Sequence, residues 1–171
     1  GALAEARELV HGSPAAANGE TSSLEVALRS LDRPDGTSVT MAFVIDDALP
    51  AIDFDQQAVL LRVAREAVSN ARRHAKAKRI TITLSATATT VLLDVHDDGC
   101  GFDLATARAR AKSRQSQHEG GFGLPSMRDR VRSAHGVLDV ESTPGEGTVV
   151  HVELPVVRPL PVTQPRVRTE P

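Results

Sequence analysis

Apolar and polar positions along this chain follow two rhythms, and the switches between them mark its elements. Leu3, Ala6, Leu9 and Val10 recur at helical spacing over residues 2–11. The small, polar run 12–22 that follows reads as a linker. Residues 24–31 (LEVALRSL) predict a short helix capped by Ser22 or Ser23. Residues 37–45 (TSVTMAFVI) are β-branched and partly alternating, which predicts a strand. The longest helical pattern covers 54–75, where Leu60, Ala64, Ala67, Val68 and Ala71 form one apolar stripe. Two alternating runs, 79–86 and 90–97, flank a short turn at Ala88 and Thr89 and predict an antiparallel hairpin. Residues 124–135 read as a helix, with Pro125 near its first turn and Gly136 at the place of a helix C-terminal glycine. Strands at 137–142 and 147–154 follow, joined by a turn from Pro144 to Gly147. From Pro155 onward the chain holds five of its ten prolines and little periodicity, the pattern of a disordered tail.

The resulting order is helix, strand, long helix, strand, strand, loop, helix, strand, strand. It predicts an α+β fold: a two-layer sandwich with helices on one face of a mixed, largely antiparallel sheet. A length of 171 residues suits one domain. Aromatic residues make up only 2%, so the core must be built from Leu, Val, Ile and Ala. A net charge of −2 gives no sign of a nucleic-acid or membrane-surface partner. A single cysteine excludes an internal disulfide framework and a Cys-based zinc site. No apolar run approaches the roughly 20 residues of a membrane span, and the first residues lack the charged-then-apolar order of a signal peptide. The expected compartment is the cytoplasm.

The GxxxxGK[ST] phosphate loop, the HExxH metal helix and the GxSxG elbow are all missing, and the six histidines are scattered. Other residues carry the chemistry. On the long helix Glu66, Asn70 and His74 stand at i, i+4 and i+8 with Arg73 beside them, so they share one stripe. Each taken singly also fits a solvated helix face. Asn70 is the exception, an amide in mid-helix with no capping role, and its oxygen suits Mg²⁺. The turn Asp97-Asp98-Gly99-Cys100-Gly101-Phe102 follows a strand directly. It reads either as a plain glycine turn or as a fixed carboxylate beside a backbone that a flat ligand approaches closely. A carboxylate only accepts hydrogen bonds, and an exocyclic amine such as that of adenine supplies them. Gly120-Gly121-Phe122-Gly123 precedes a helix, so it is either a hinge or a phosphate cradle of free N–H groups. Between these turns lies the basic, weakly apolar stretch 103–120, which fits a surface loop or a mobile lid over polyphosphate. Thr148 opens the last strand.

The order and spacing of these pieces are more specific than any one of them. RE-AVSN-ARRHA, then DDGCGF after a strand pair, then GGFGLPSMRDRV, then STPGEGTVVHVELP resembles the ATP-binding catalytic domain of bacterial sensor histidine kinases. That superfamily includes gyrase, Hsp90-type chaperones and MutL, and the nearest likeness is to kinases that pair with NarL-type response regulators. The resemblance covers roughly residues 24–155. It implies the Bergerat-type sandwich with ATP and Mg²⁺ as ligands. Asn70 would hold Mg²⁺, and Glu66 would act in phosphoryl transfer or polarise a water. Arg73 and His74 would approach the phosphates. Asp97, Gly99 and Gly101 would form the adenine side, with Asp97 accepting from the amino group. Gly121, Phe122, Gly123 and Leu124 would lie by the triphosphate, and Thr148 would support the adenine site.

The resemblance also implies what lies elsewhere. None of the six histidines sits in the context of a phosphoacceptor helix. The acceptor histidine is therefore expected on a separate dimerisation domain, with a response regulator as the next partner. Residues 1–23 read as a helix stub and linker, 24–155 as the ATP-binding domain with its lid near 103–120, and 156–171 as the proline-rich tail. Rival readings are a serine kinase of the anti-sigma-factor type and a degenerate docking module without nucleotide.

Overall fold

The structure is a computed structural model and describes residues 23–33, 38–107, 109 and 123–156. The alternating runs become five strands: β1 (Thr40–Ile45), β2 (Arg79–Ala86), β3 (Thr90–Asp97), β4 (Val137–Thr143) and β5 (Gly147–Pro155). They form one sheet in the order β1-β2-β3-β5-β4. β1 runs parallel to β2, while β2–β3, β3–β5 and β4–β5 are antiparallel. The single parallel pair has a direct cause: the long helix intervenes between β1 and β2, and a crossover returns the chain in the same direction.

One sheet face is buried and the other is polar. Ile80, Ile82 and Leu84 of β2, Val91, Leu93 and Val95 of β3, Leu138 and Val140 of β4, and Val150, Val152 and Leu154 of β5 all point inward. Their strand neighbours Thr81, Asp94, Asp139 and Glu153 take the other face. The largest fully buried side chains are Leu, Ile and Val, as the scarcity of aromatic residues requires. Leu24 and Leu28 bring the first helix, α1 (residues 23–29), into the same core.

Helix α2 (Phe54–Asn70) starts at Asp53, whose carboxylate accepts the Gln56 N–H at 2.8 Å. The buried Gln56 amide donates to the Pro155 carbonyl at 2.6 Å and ties the helix start to the end of β5. Leu60, Val63, Ala64, Ala67 and Val68 bury the inward stripe. The expected helix over 54–75 is not uniform: Ala71–Ala75 widens into a π-helix and ends at Lys76 in the left-handed region. The carbonyls of this last turn are engaged from outside the helix. The Cys100 N–H donates to the Ala75 carbonyl at 2.7 Å, and the Cys100 thiol lies 3.6 Å from that of His74.

Helix α3 (Gly123–Ser133) packs through Met127 and Val131. Its end differs from the expected glycine stop. His135 is the left-handed residue, with φ of 58°. The Gly136 and His135 N–H groups return to the Val131 and Arg132 carbonyls, a Schellman closure. Gly136 is needed for packing instead, because a methyl group there would lie 2.4 Å from both Leu154 and the Glu153 carbonyl.

Candidate functional site

The C-terminal half of α2, its π-helical extension, the end of β3, the start of β5 and the start of α3 converge on one cavity of about 590 Å³. Glu66, Asn70, Arg73 and His74 line one side, as their shared stripe requires. Asp97, Gly101 and Thr148 line the sheet end, and Gly123 and Leu124 close the rim. A methyl group on Gly123 would lie 2.9 Å from a Glu66 carboxylate oxygen, so the first residue of α3 meets the acidic end of the α2 stripe. Gly99 is not on the cavity wall; it packs beneath the turn, where a methyl group would lie 2.4 Å from Ala75 Cβ. Gly121, Phe122 and most of the stretch 103–120 lie outside the described residues.

The adjacent aspartates do different work because strand parity separates them. Asp97 is in phase with Val91, Leu93 and Val95 and faces inward, only 7% exposed. Its Oδ1 accepts the Gly99 N–H at 2.9 Å. Burial raises its carboxyl pKa above the ordinary value, and the Gly99 N–H offsets part of that rise. Asp98 is exposed and accepts the Arg79 and Lys78 N–H groups, at 2.8 and 2.7 Å, which hold its carboxyl below the ordinary range. Asp98 thus pins the start of β2 and leaves the cavity to Asp97.

The turn after β3 is docked on the turn between β4 and β5 through bare backbone. Gly101 has φ of +56°, and a methyl group there would lie 2.0 Å from the Thr143 carbonyl oxygen. Gly147 has φ of +87°, with its pro-methyl position 2.0 Å from the Asp97 carbonyl oxygen. The Gly145 N–H donates to the Cys100 carbonyl at 2.7 Å. Only backbone fits at such distances.

Several wall residues were not among the sequence candidates. Val95 and Val150 flank Asp97 and Thr148 on the inward face, and strand parity is the signal that finds them. Cys100 and Phe102 also line the cavity, and Ser142 sits at the turn junction behind it. Among the described residues no group of three or more His, Cys, Asp or Glu could hold a metal ion. On the α2 side of the cavity the side-chain oxygen donors are the Asn70 amide and the Glu66 carboxylate. One or two protein oxygens suit Mg²⁺, which keeps waters and takes phosphate oxygens for the rest.

A half-apolar cleft with a buried acceptor at one end and mixed charge at the other defines a site for a flat polar ring carrying an anionic tail. The comparisons agree with that class. The family model for histidine kinase-, DNA gyrase B-, and HSP90-like ATPases matches residues 55–158, and the chain belongs to this ATP-binding family. Within it the relatives that the chain resembles are sensor histidine kinases. It is 32% identical over 146 residues to an uncharacterized sensor-like histidine kinase of Chloroflexus aurantiacus, covering 80% of this chain and 23% of that protein. It is 34% identical over 100 residues to the signal transduction histidine-protein kinase/phosphatase DegS of Bacillus subtilis, covering 58% of this chain and 24% of DegS. The chain therefore spans about a quarter of these relatives. The histidine kinase domain of the Erythrobacter litoralis EL346 blue-light activated kinase shares the fold, with a TM-score of 0.61 at 19% identity over 79% of this chain and 60% of that one.

Proposed function

We propose that this chain binds Mg²⁺-ATP in the cavity and transfers the γ-phosphoryl group to a histidine on a separate dimerisation domain. A response regulator is then the next acceptor. The observation that carries the reading is Asp97, a buried carboxylate facing inward at the sheet end of a cleft whose far side holds Asn70, Arg73 and His74. Asp97 accepts from the adenine amino group, Val95 and Val150 cover the ring, and Thr148 supports the same edge. Arg73, His74 and the N–H groups at the start of α3 face the phosphates. The Asn70 oxygen holds Mg²⁺, which supplies charge neutralisation on the phosphates. Gly121 and Phe122 belong to the phosphate side of this reading, and residues 24–155 are its folded unit.

In the transfer the acceptor imidazole nitrogen uses its lone pair to form the P–N bond. The bond from the γ-phosphorus to the bridging oxygen breaks, and ADP leaves with that electron pair. Glu66 faces Gly123 at the rim, the side from which the acceptor approaches, and orients the attacking nitrogen or a water. Among the described residues no helix is long and apolar enough to cross a membrane. The cytoplasm, where ATP is available, is the compartment the reading requires.

The test is to mix the chain with γ-labelled ATP, Mg²⁺ and the acceptor-helix domain of a sensor histidine kinase. The expected product is acid-labile, base-stable phosphate on the added domain. Acid-stable phosphate on serine would overturn the histidine reading.

A further inference from the structure

The junction behind the cavity contains one hydroxyl with three polar neighbours. Ser142 on β4 pairs across the strands with Thr148 on β5, and both side chains take the inward face. The Phe102 N–H donates to Ser142 Oγ at 2.9 Å. The Gly147 carbonyl oxygen lies 3.0 Å from Ser142 Oγ, and Thr148 Oγ1 also lies 3.0 Å away. A serine hydroxyl has one proton and two acceptor positions. The Phe102 amide brings its own proton and takes one acceptor position. The Gly147 carbonyl has none to give and receives the Ser142 proton. One acceptor position is left, and Thr148 fills it by donating.

We infer that Ser142 fixes the Thr148 hydroxyl proton and so makes Thr148 an acceptor toward the cavity, beside the acceptor Asp97. Ser142 is thereby a positioning residue that selects a base edge carrying an amine over one carrying a carbonyl. Thr148 and Asp97 are cross-strand partners and both line the cavity, so the two acceptors address the same edge of a ligand. Adenine offers its 6-amino group there. Hypoxanthine places a carbonyl oxygen against two acceptors, an arrangement a polar pocket rejects strongly. The inference rests on the nucleotide reading and adds to it the source of base selectivity. Without Ser142, the Thr148 hydroxyl is free to rotate and donate to that carbonyl.

The test is calorimetric titration of the full chain with ATP and with ITP, each with Mg²⁺, in the parent, Ser142→Ala, Ser142→Thr and Thr148→Val. The parent is expected to prefer ATP. Ser142→Ala is expected to lose about tenfold of that preference, the size of one hydrogen bond. Ser142→Thr restores the hydroxyl and is expected to restore the ratio. A purely structural serine would weaken both nucleotides alike, and an unchanged ratio in Ser142→Ala overturns the inference alone. Should Ser142→Ala fail to fold, Thr148→Val keeps the Ser142 bonds to Phe102 and Gly147, and an unchanged ratio there overturns it equally. A folded parent that binds neither nucleotide overturns the nucleotide reading itself.

Discussion

Replacing Gly101 by alanine probes the contact that holds the cavity's two turns together. Its cost has two parts. The first is conformational: φ of +56° is left-handed, and an L-residue there is strained by roughly 1–2 kcal/mol. Alanine also restricts the unfolded chain, which returns about 0.4–1 kcal/mol. The second part is steric. The new methyl group would sit 2.0 Å from the Thr143 carbonyl oxygen and 2.8 Å from that of Gly147. Both are backbone atoms that cannot rotate aside, so the turns must separate, at an overpacking cost of about 1–3 kcal/mol. The sum is about 1–5 kcal/mol, centred near 3. Gly145 is the built-in control: its φ is +91°, yet a methyl group there meets nothing within 4 Å. Gly145→Ala should therefore carry the conformational part alone, about 1 kcal/mol. At about 4 °C per kcal/mol for a domain of this size, Gly101→Ala should lower the melting temperature by about 10 °C and Gly145→Ala by about 4 °C. Circular dichroism at 222 nm reads both. Equal shifts would refute the argument that bare backbone contact, rather than turn conformation, selects glycine at 101.

Other residues give sharper signs or smaller effects. Asp53→Ala removes the acceptor at the start of α2 and should cost about 1 kcal/mol in urea unfolding, while Asp53→Asn retains most of it. His151 lies between Asp94 at 2.6 Å and Glu153 at 3.1 Å. The Asp94 hydrogen bond, with Glu153 in support, raises its pKa above 6.5. Its contribution to stability is thus fully present below about 6.5 and fades as pH rises through the raised value. The parent should lose more stability than His151→Gln between pH 6 and 9, and parallel melting curves across that range would contradict the pairing. Asn70→Ala should leave ATP binding without Mg²⁺ nearly unchanged and lose most of the gain that Mg²⁺ confers, as read by calorimetry with and without the metal.

The fold was legible because its signals are local and periodic. The β2–β3 hairpin falls on 79–86 and 90–97 as the alternation predicts, and the inward stripe of α2 lies on the expected positions. Glu66, Asn70, Arg73 and His74 come together in the cavity because spacing along one helix determines a shared face. What escaped depends on contacts between distant segments. The π-helical turn at Ala71–Ala75 is tied to Cys100, and no periodicity in 54–75 announces it. His135 takes the left-handed position that composition assigns to Gly136, because Gly136 is reserved for the close approach of β5. Ser142 is one serine among several in the sequence; only the meeting of Phe102, Gly147 and Thr148 around it distinguishes it.

The central claim is that Asp97 receives a nucleotide base in this cavity. The direct measurement is calorimetric titration of the chain with a non-hydrolysable ATP analogue and Mg²⁺, in the parent and in Asp97→Asn. Asparagine keeps the shape but turns an amide toward the adenine amine and removes a charge-assisted bond of about 1.5–3 kcal/mol. Burial already opposes the charge on Asp97, so the fold should lose little. The account predicts one site in the parent and binding weaker by about 10- to 100-fold in Asp97→Asn at an unchanged melting temperature. A folded parent without affinity, or an Asp97→Asn variant that binds as tightly, would contradict it.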